Sequence, residues 1–272
     1  MNKSQDETWA KRAEHWRQVA PKGASTFDAP NQTLIKWANV TAGSKCLDLA
    51  SGAGEPAISI ALEVGDTGSV VASDASKEML AGAQERASSM GLKNIGFENT
   101  AMESLPFDAD TFDAVTCRFG LMHAEDPLAG LKEARRVLKP GGRAAFMVHG
   151  PADKNTQWTT MHQCVQSFLE VDDQARFDKH YKFSAEGELA GLLEEAGFAD
   201  VQDELTITTV VQEDGKMFWE GNLMRSLGSR VDGLDETQMA ALNAAIGEAF
   251  ANFKADGNYE LLSSNLVAGG VA

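Results

Sequence analysis

CLDLASGAGEPA, Cys46 to Ala57, is the stretch on which the rest of the chain turns. Cys46, Leu47 and Leu49 read as a buried strand that runs into a tight turn carrying Gly52 and Gly54, and Pro56 suits the first turn of a helix. Two glycines this close let the backbone bend sharply and let a ligand approach to contact distance, where a Cβ would stand in the way. The expectation is a ligand-holding loop. The plain alternative is a strand-to-helix turn that holds nothing.

Gly52, Gly54 and Ala57 also satisfy the dinucleotide pattern GxGxxG/A, and Asp74 follows about twenty residues on, as that pattern requires. The charges around the turn separate the readings. A pyrophosphate needs a helix start free of anions, yet Glu55 stands at the helix start and Asp48 precedes the turn. Carboxylates there suit a cationic ligand. S-adenosylmethionine (SAM) carries a sulfonium and an amino group, and Asp48 is placed to attract the amine directly or through water.

The chain has 272 residues, enough for one large domain or a domain with an insertion. Forty acidic against 24 basic residues give a net charge of −16, with no Lys/Arg cluster, which argues against a grip on nucleic acid or an anionic membrane. Cys46, Cys117 and Cys164 form no CxxC and no metal-site spacing; they read as reduced core residues, and no metal is expected. MNKSQDETWAKR lacks the pattern of a secretory signal, and no apolar run is long enough to span a bilayer, so the expectation is a cytoplasmic protein without stable membrane insertion.

Thr8 to Val19 places Trp9, Ala13 and Trp16 at helical spacing, either as core packing or as a lid over a substrate. A further helix is expected over Thr33–Val40. After the glycine turn come a helix over Ala57–Val64, a strand in GSVVASDAS ending at Asp74, and a helix over Lys77–Met90 capped by Ser76. A short strand at Ile95–Phe97 and strands at Phe112–Cys117 and Gly142–Val148 follow, with a helix before Pro140. Alternating strands and helices mark a parallel sheet covered on both faces, with ligands at the carboxyl ends of its strands. An acidic residue at the end of the second strand, Asp74, suits the two hydroxyls of a ribose.

LDLASGAG, VVASDAS, LPFDADTFDAV and RVLKPGG, between Leu47 and Gly142, resemble the motif series of class I SAM-dependent methyltransferases, in the small-molecule branch related to ubiquinone and menaquinone biosynthesis enzymes. The resemblance implies an α/β, Rossmann-like, doubly wound and mostly parallel seven-stranded sheet with an antiparallel last strand and a helical cap. It also implies SAM as cofactor and S-adenosylhomocysteine as product. Carried over by position, Asp48, Gly52 and Gly54 would hold the methionine end and Asp74 the ribose, with Ala50 and Ala75 beside them in the cofactor site. Met79 and Met102 would meet the adenine, with Ala101 and Glu103 near them in the cofactor site, and Arg118 or Phe119 would form the loop beneath the sulfonium. Two positions depart from the pattern. Ala50 stands where the family has a glycine, which an ordinary backbone conformation there would tolerate. Ala101 stands where many members have an aspartate facing the adenine amino group, which would leave that role to backbone near Met102 and to Glu103.

The expected organisation is an N-terminal helical lid over 1–44, a SAM-binding core over 45–150, and the rest of the sheet with substrate-cap insertions over 151–272. Pro151–Tyr181 and Gly215–Phe253 are expected to be the cap, with helices at Thr156–Leu169, Glu186–Glu195, Lys216–Leu227 and Glu236–Phe253 and strands at Val201–Val211 and Tyr259–Val267. Methyl transfer is a direct displacement that asks the protein chiefly to align two reactants in a dry pocket. A base is needed only where the acceptor must lose a proton, and His123 and His149, following the fourth strand and ending the fifth, are the candidates. The segment after the fourth strand reads CRFG in place of the Pro-Pro-aromatic signature of nucleic-acid amino methyltransferases. The acceptor is therefore expected to be a small organic molecule, with no nucleic-acid partner and a homodimer left open. A nicotinamide-dependent oxidoreductase and a SAM-binding regulator without activity are the competing functions.

Overall fold

The computed structural model describes Ala13 and residues 28–272. Ala13 is helical and buried; the remainder of the expected lid helix, with Trp9 and Trp16, lies outside the described residues. The apolar runs form strands β1 (Lys45–Leu49), β2 (Ser69–Asp74), β3 (Ile95–Asn99), β4 (Phe112–Arg118), β5 (Leu138–His149), β6 (Ala199–Glu213), the two-residue β7 (Lys254–Ala255) and β8 (Asn258–Val271). They join in the order β3-β2-β1-β4-β5-β8-β6, with β7 paired to β8. The sheet is mostly parallel, with its last strands antiparallel, so seven strands lie along the path as expected and β7 is an addition. Chain order reverses between β1 and β4, the point at which such sheets leave a crevice beyond their carboxyl ends.

Helices α1 (Ala29–Trp37), α2 (Ala57–Val64), α3 (Lys77–Ser89), α4 (Pro127–Val137), α5 (Thr156–Leu169), α6 (Gln174–His180), α7 (Glu188–Glu195), α8 (Glu220–Val231) and α9 (Glu236–Phe250) fill the connections. α1 starts earlier than the sequence suggested because Pro30 occupies its first turn, where a missing N–H is harmless. α4 stops at Val137, three residues before Pro140, and β5 begins at once: the residue ahead of a proline is pushed out of the helical region, so the RVLKPGG turn extends the strand. α6 was not legible, being one short helix without an apolar stripe.

The chain divides into two compact units. One contains the described residues up to Val148 with Ala185–Glu204 and Leu266–Ala272; the other contains His149–Ser184 and Leu205–Asn265. In the first, period-two alternation sends Cys46, Val70, Ala72, Ala114, Ala145 and Met147 to one sheet face, where Leu34 and Ile35 of α1 and Ile60 and Val64 of α2 cover them. In the second, Met161 and Val165 of α5, Leu223 and Leu227 of α8, and Leu242, Ile246 and Phe250 of α9 share a core with Trp219 and Leu261. The stretches Pro151–Tyr181 and Gly215–Phe253 both fall in this second unit.

Candidate active site

β1 delivers Asp48 into the first unit's core at zero exposure. Its parallel neighbour in register on β4 is Thr116, so the two side chains stand side by side on one face, and the Thr116 hydroxyl donates to Asp48 Oδ1 at 2.6 Å. Asp48 Oδ2 is buried and has no hydrogen-bond partner among the described residues. Burial pushes the Asp48 carboxyl up to about 7, against the pull of the Thr116 and Ser51 hydroxyls and the Arg118 charge. An unpaired buried carboxylate oxygen at a switch point asks for a donor that the described residues do not supply.

Beyond β1 the backbone turns through left-handed conformations at Ala50 (φ 51°), Gly52 (φ 52°) and Gly54 (φ 105°). The glycines explain themselves: a Cβ on Gly54 would lie 2.8 Å from Ile58 Cδ1, and one on Gly52 would lie 3.1 Å from Met79 Cε. Ala50 corrects the expectation of an ordinary backbone there. It adopts the conformation that the family's glycine would adopt freely, at a cost of about 1–2 kcal/mol for an L-residue. Its Cβ occupies the space above Gly120, where another Cβ would come within 2.4 Å. Replacing Ala50 with glycine is therefore expected to stabilise the protein by about 0.5–1 kcal/mol, the strain relieved less the entropy added to the unfolded chain. A thermal melt should register this as a rise in Tm of about 1–4 °C.

Asp74 closes β2 with both oxygens engaged. Oδ2 accepts the Gly52 N–H at 2.9 Å and Oδ1 the Ser76 N–H at 2.8 Å, so this carboxylate holds the glycine turn as well as facing outward. Each oxygen retains a second lone pair for a ligand hydroxyl. Burial raises the Asp74 carboxyl above its ordinary value, and those two backbone bonds oppose the rise. Ala75 follows, its carbonyl accepting from Asn99 Nδ2 at 3.0 Å.

Several predicted site residues have protein partners. Glu103 Oε1 accepts from the Glu125 N–H at 2.9 Å, so this carboxylate shapes the approach to α4 and is not free to face an adenine amino group through that oxygen. Ala101 lies in the adjoining turn, its carbonyl bonded to Ser104 N at 3.2 Å. Met79 and Met102 are buried; Met102 packs on Gly130, where a Cβ would lie 2.9 Å from its Cγ. Arg118 pairs with Asp28 at 3.1 Å and with Asn31 Oδ1, its guanidinium 5.7 Å from the Phe119 ring. Phe119 itself has φ 56°. Glu55, read from sequence as part of an anionic rim, is instead paired with Arg86 at 2.7 Å and bonded to Asn31 and Ser59.

His123 ends a 3-10 turn, Leu121–His123, in the first unit. His149, in the second, stacks on His180 with ring centroids 4.1 Å apart, and His180 stacks in turn on Trp158 at 3.7 Å. Trp158 also lies over His162, which is 2% exposed and whose Nε2 stands 3.4 Å from Asp173 Oδ2. Burial lowers the His162 pKa, with Asp173 opposing. All three cysteines are free, and burial pushes the thiols of Cys46 and Cys117 up to about 12, so they remain protonated core residues.

Thr116, Asn31 and Arg86 escaped the sequence reading. Thr116 had a signal, a lone hydroxyl in the buried strand FDAVTCR; Arg86 and Asn31 had none, because each meets Glu55 only in the folded chain.

The model of the ubiE/COQ5 methyltransferase family matches residues 27–214. A 2-phytyl-1,4-naphtoquinone methyltransferase of Trichormus variabilis is 38% identical over 134 residues, which are 48% of this chain and 58% of that protein. A demethylmenaquinone methyltransferase of Bacillus subtilis is 32% identical over 179 residues, 60% of this chain and 75% of that one. The solved structure of the YcgJ protein of Bacillus subtilis is similar with a TM-score of 0.58 at 22% identity, covering 89% of this chain and 97% of the other; at that identity the likeness concerns the fold alone.

Proposed function

The chain belongs to the ubiE/COQ5 methyltransferase family, and from that premise we propose that it transfers a methyl group from SAM to a small organic acceptor, a quinone-like aromatic ring. The relatives that bear on the acceptor are named for a phytylnaphthoquinone and for demethylmenaquinone. The observation that carries the proposal is Asp48: a buried carboxylate with one satisfied oxygen and one without a partner among the described residues, at the carboxyl end of the strand where the sheet reverses. A cationic amine satisfies that oxygen; a pyrophosphate would add to the charge that burial already opposes.

SAM, when bound, supplies a methyl group activated by its sulfonium. In this proposal Asp48 holds the amine and the Gly52–Gly54 turn admits the methionine end at backbone distance. Asp74 accepts from the ribose hydroxyls through its spare lone pairs, and Ala75, Met79, Ala101 and Met102 border the adenine side. Arg118 and Phe119 define the loop at the end of β4. His123 and His149 are the proposed bases for an acceptor that must lose a proton, His149 with one ring face covered by His180. The stretches Pro151–Tyr181 and Gly215–Phe253 are proposed to select the acceptor. Among the described residues no helix is long and apolar enough to cross a membrane. The net charge of −16 supports a protein that does not engage nucleic acid; a cytoplasmic setting and a homodimer belong to the same proposal.

Calorimetric titration with SAM and with NAD(H), followed by incubation with SAM and a panel of quinols, phenols and amines, tests this. Expected are SAM binding and S-adenosylhomocysteine formed with a quinol. NAD(H) binding without SAM binding would overturn the cofactor, and SAM binding without turnover of any acceptor would favour a regulator.

A further inference from the structure

Glu55 sits beside the glycine turn with its side chain 9% exposed, and every contact around it comes from a different part of the chain. Arg86 of α3 meets Glu55 Oε1 at 2.7 Å through one guanidinium nitrogen and donates to the Ala53 carbonyl at 2.7 Å through another. Asn31 of α1, fully buried, donates to Glu55 Oε2 at 2.6 Å, and Ser59 of α2 donates to the same oxygen at 2.8 Å. Asn31 Oδ1 in turn accepts from Arg118 at the end of β4. A buried ion pair of this kind is weak support for stability, because desolvation offsets most of its attraction. What it does provide is geometry: a two-pronged guanidinium and a buried amide fix one backbone carbonyl and one carboxylate in a turn that holds two left-handed glycines.

We infer that Glu55, gripped by Arg86 and Asn31, is a positioning residue that preforms the Gly52–Gly54 turn for the methionine end of the cofactor. The inference rests on the SAM assignment above. The ribose side keeps an anchor of its own: Asp74 Oδ2 accepts from Gly52 within the turn, but Oδ1 is held by the Ser76 N–H, outside this clamp. Loosening the clamp should therefore weaken the hold on the amino-acid end more than on the ribose end. A preformed turn avoids ordering backbone when the ligand arrives, and that ordering is what the variants should reintroduce.

The test is calorimetric titration of the full chain with SAM and with 5′-methylthioadenosine, which keeps the adenosine end and lacks the amino-acid end. Arg86→Met should weaken SAM about tenfold or more and 5′-methylthioadenosine by less than about twofold, and Asn31→Ala should show the same contrast with a smaller loss. In Glu55→Gln/Arg86→Met the losses should fall short of additive, because both residues act through one contact. Should Arg86→Met not fold, Arg86→Lys keeps the charge but cannot reach Glu55 and Ala53 together, and is expected to show the same selective loss. Unchanged SAM affinity, or an equal loss for both ligands, would overturn the positioning role. A wild-type protein that binds 5′-methylthioadenosine but not SAM would overturn the SAM assignment itself, a result distinct from either.

Discussion

Asp48→Asn is expected to weaken SAM binding about 10- to 150-fold while leaving the ligand-free protein no less stable at pH 8. The affinity loss is that of one charge-assisted hydrogen bond, about 1.5–3 kcal/mol. The stability side follows from linkage. In the folded protein burial holds the Asp48 carboxyl near 7, whereas in the unfolded chain it ionises near its ordinary value of 3.8. A raised carboxyl pKa favours folding while the group is protonated in both states. As pH rises from about 4 to about 7 the unfolded chain gives up the proton first, and the folded form loses roughly 4 kcal/mol of relative stability at most from this group. Asparagine has no such titration. It leaves a buried amide N–H without an acceptor, at about 1–3 kcal/mol, comparable to or below the penalty it removes at pH 8. Denaturant unfolding at pH 5 and pH 8 should therefore show the variant losing less stability over that interval than the parent. SAM binding to the parent should release close to one proton near pH 6, where the SAM amine is already an ammonium and that ammonium requires the ionised carboxylate. Calorimetry in buffers of different ionisation enthalpy measures that release, and proton uptake in its place would contradict the assignment.

Asp74→Ala is expected to reduce SAM affinity by at least about tenfold, the low end for a charged hydrogen bond, and to lower stability as well. The second effect comes from the carboxylate's other duty. Removing it strips the Gly52 and Ser76 N–H groups of their acceptor, and Gly52 belongs to the turn that the ligand uses. Asp74→Asn separates the roles, since one carboxamide oxygen still accepts from backbone while the second position becomes a donor. Its Tm should fall less than that of the alanine variant, and its SAM affinity should fall nearly as far. Wild-type affinity in either variant would remove Asp74 from the ribose role.

The two variants differ in what the sequence could disclose about them. Asp74 stands at the end of an apolar strand with a capping serine two residues on, a local pattern that predicts both its position and its exposure to a ligand. Asp48 was visible as a carboxylate in the strand, but its unpaired oxygen was not. That depends on β4 supplying only one hydroxyl, Thr116, from 68 residues away. Ala50 shows the same division. Alanine tolerates several backbone regions, and only the packed turn reveals that this one is left-handed. Glu55 shows it most sharply: as a letter in the sequence it was a charge near the ligand, whereas Arg86, 31 residues away, neutralises it and Asn31, 24 residues away, donates a hydrogen bond to it.

By itself the sequence determined the strand-turn-helix order, the glycine bend, the acidic ends of β1 and β2, and the negative field of the whole chain. These follow from period-two and period-3.6 patterns, glycine stereochemistry and charge counts, which are properties of neighbouring residues or of composition. The tertiary structure alone decided which carboxylates are already satisfied: Glu55 and Glu103 bonded within the protein, Asp74 bonded to backbone through each oxygen, and Asp48 with one oxygen open among the described residues. The physical reason is that hydrogen-bond satisfaction and desolvation are set by groups brought together from distant parts of the chain, and they choose among acids that look alike when written in a row.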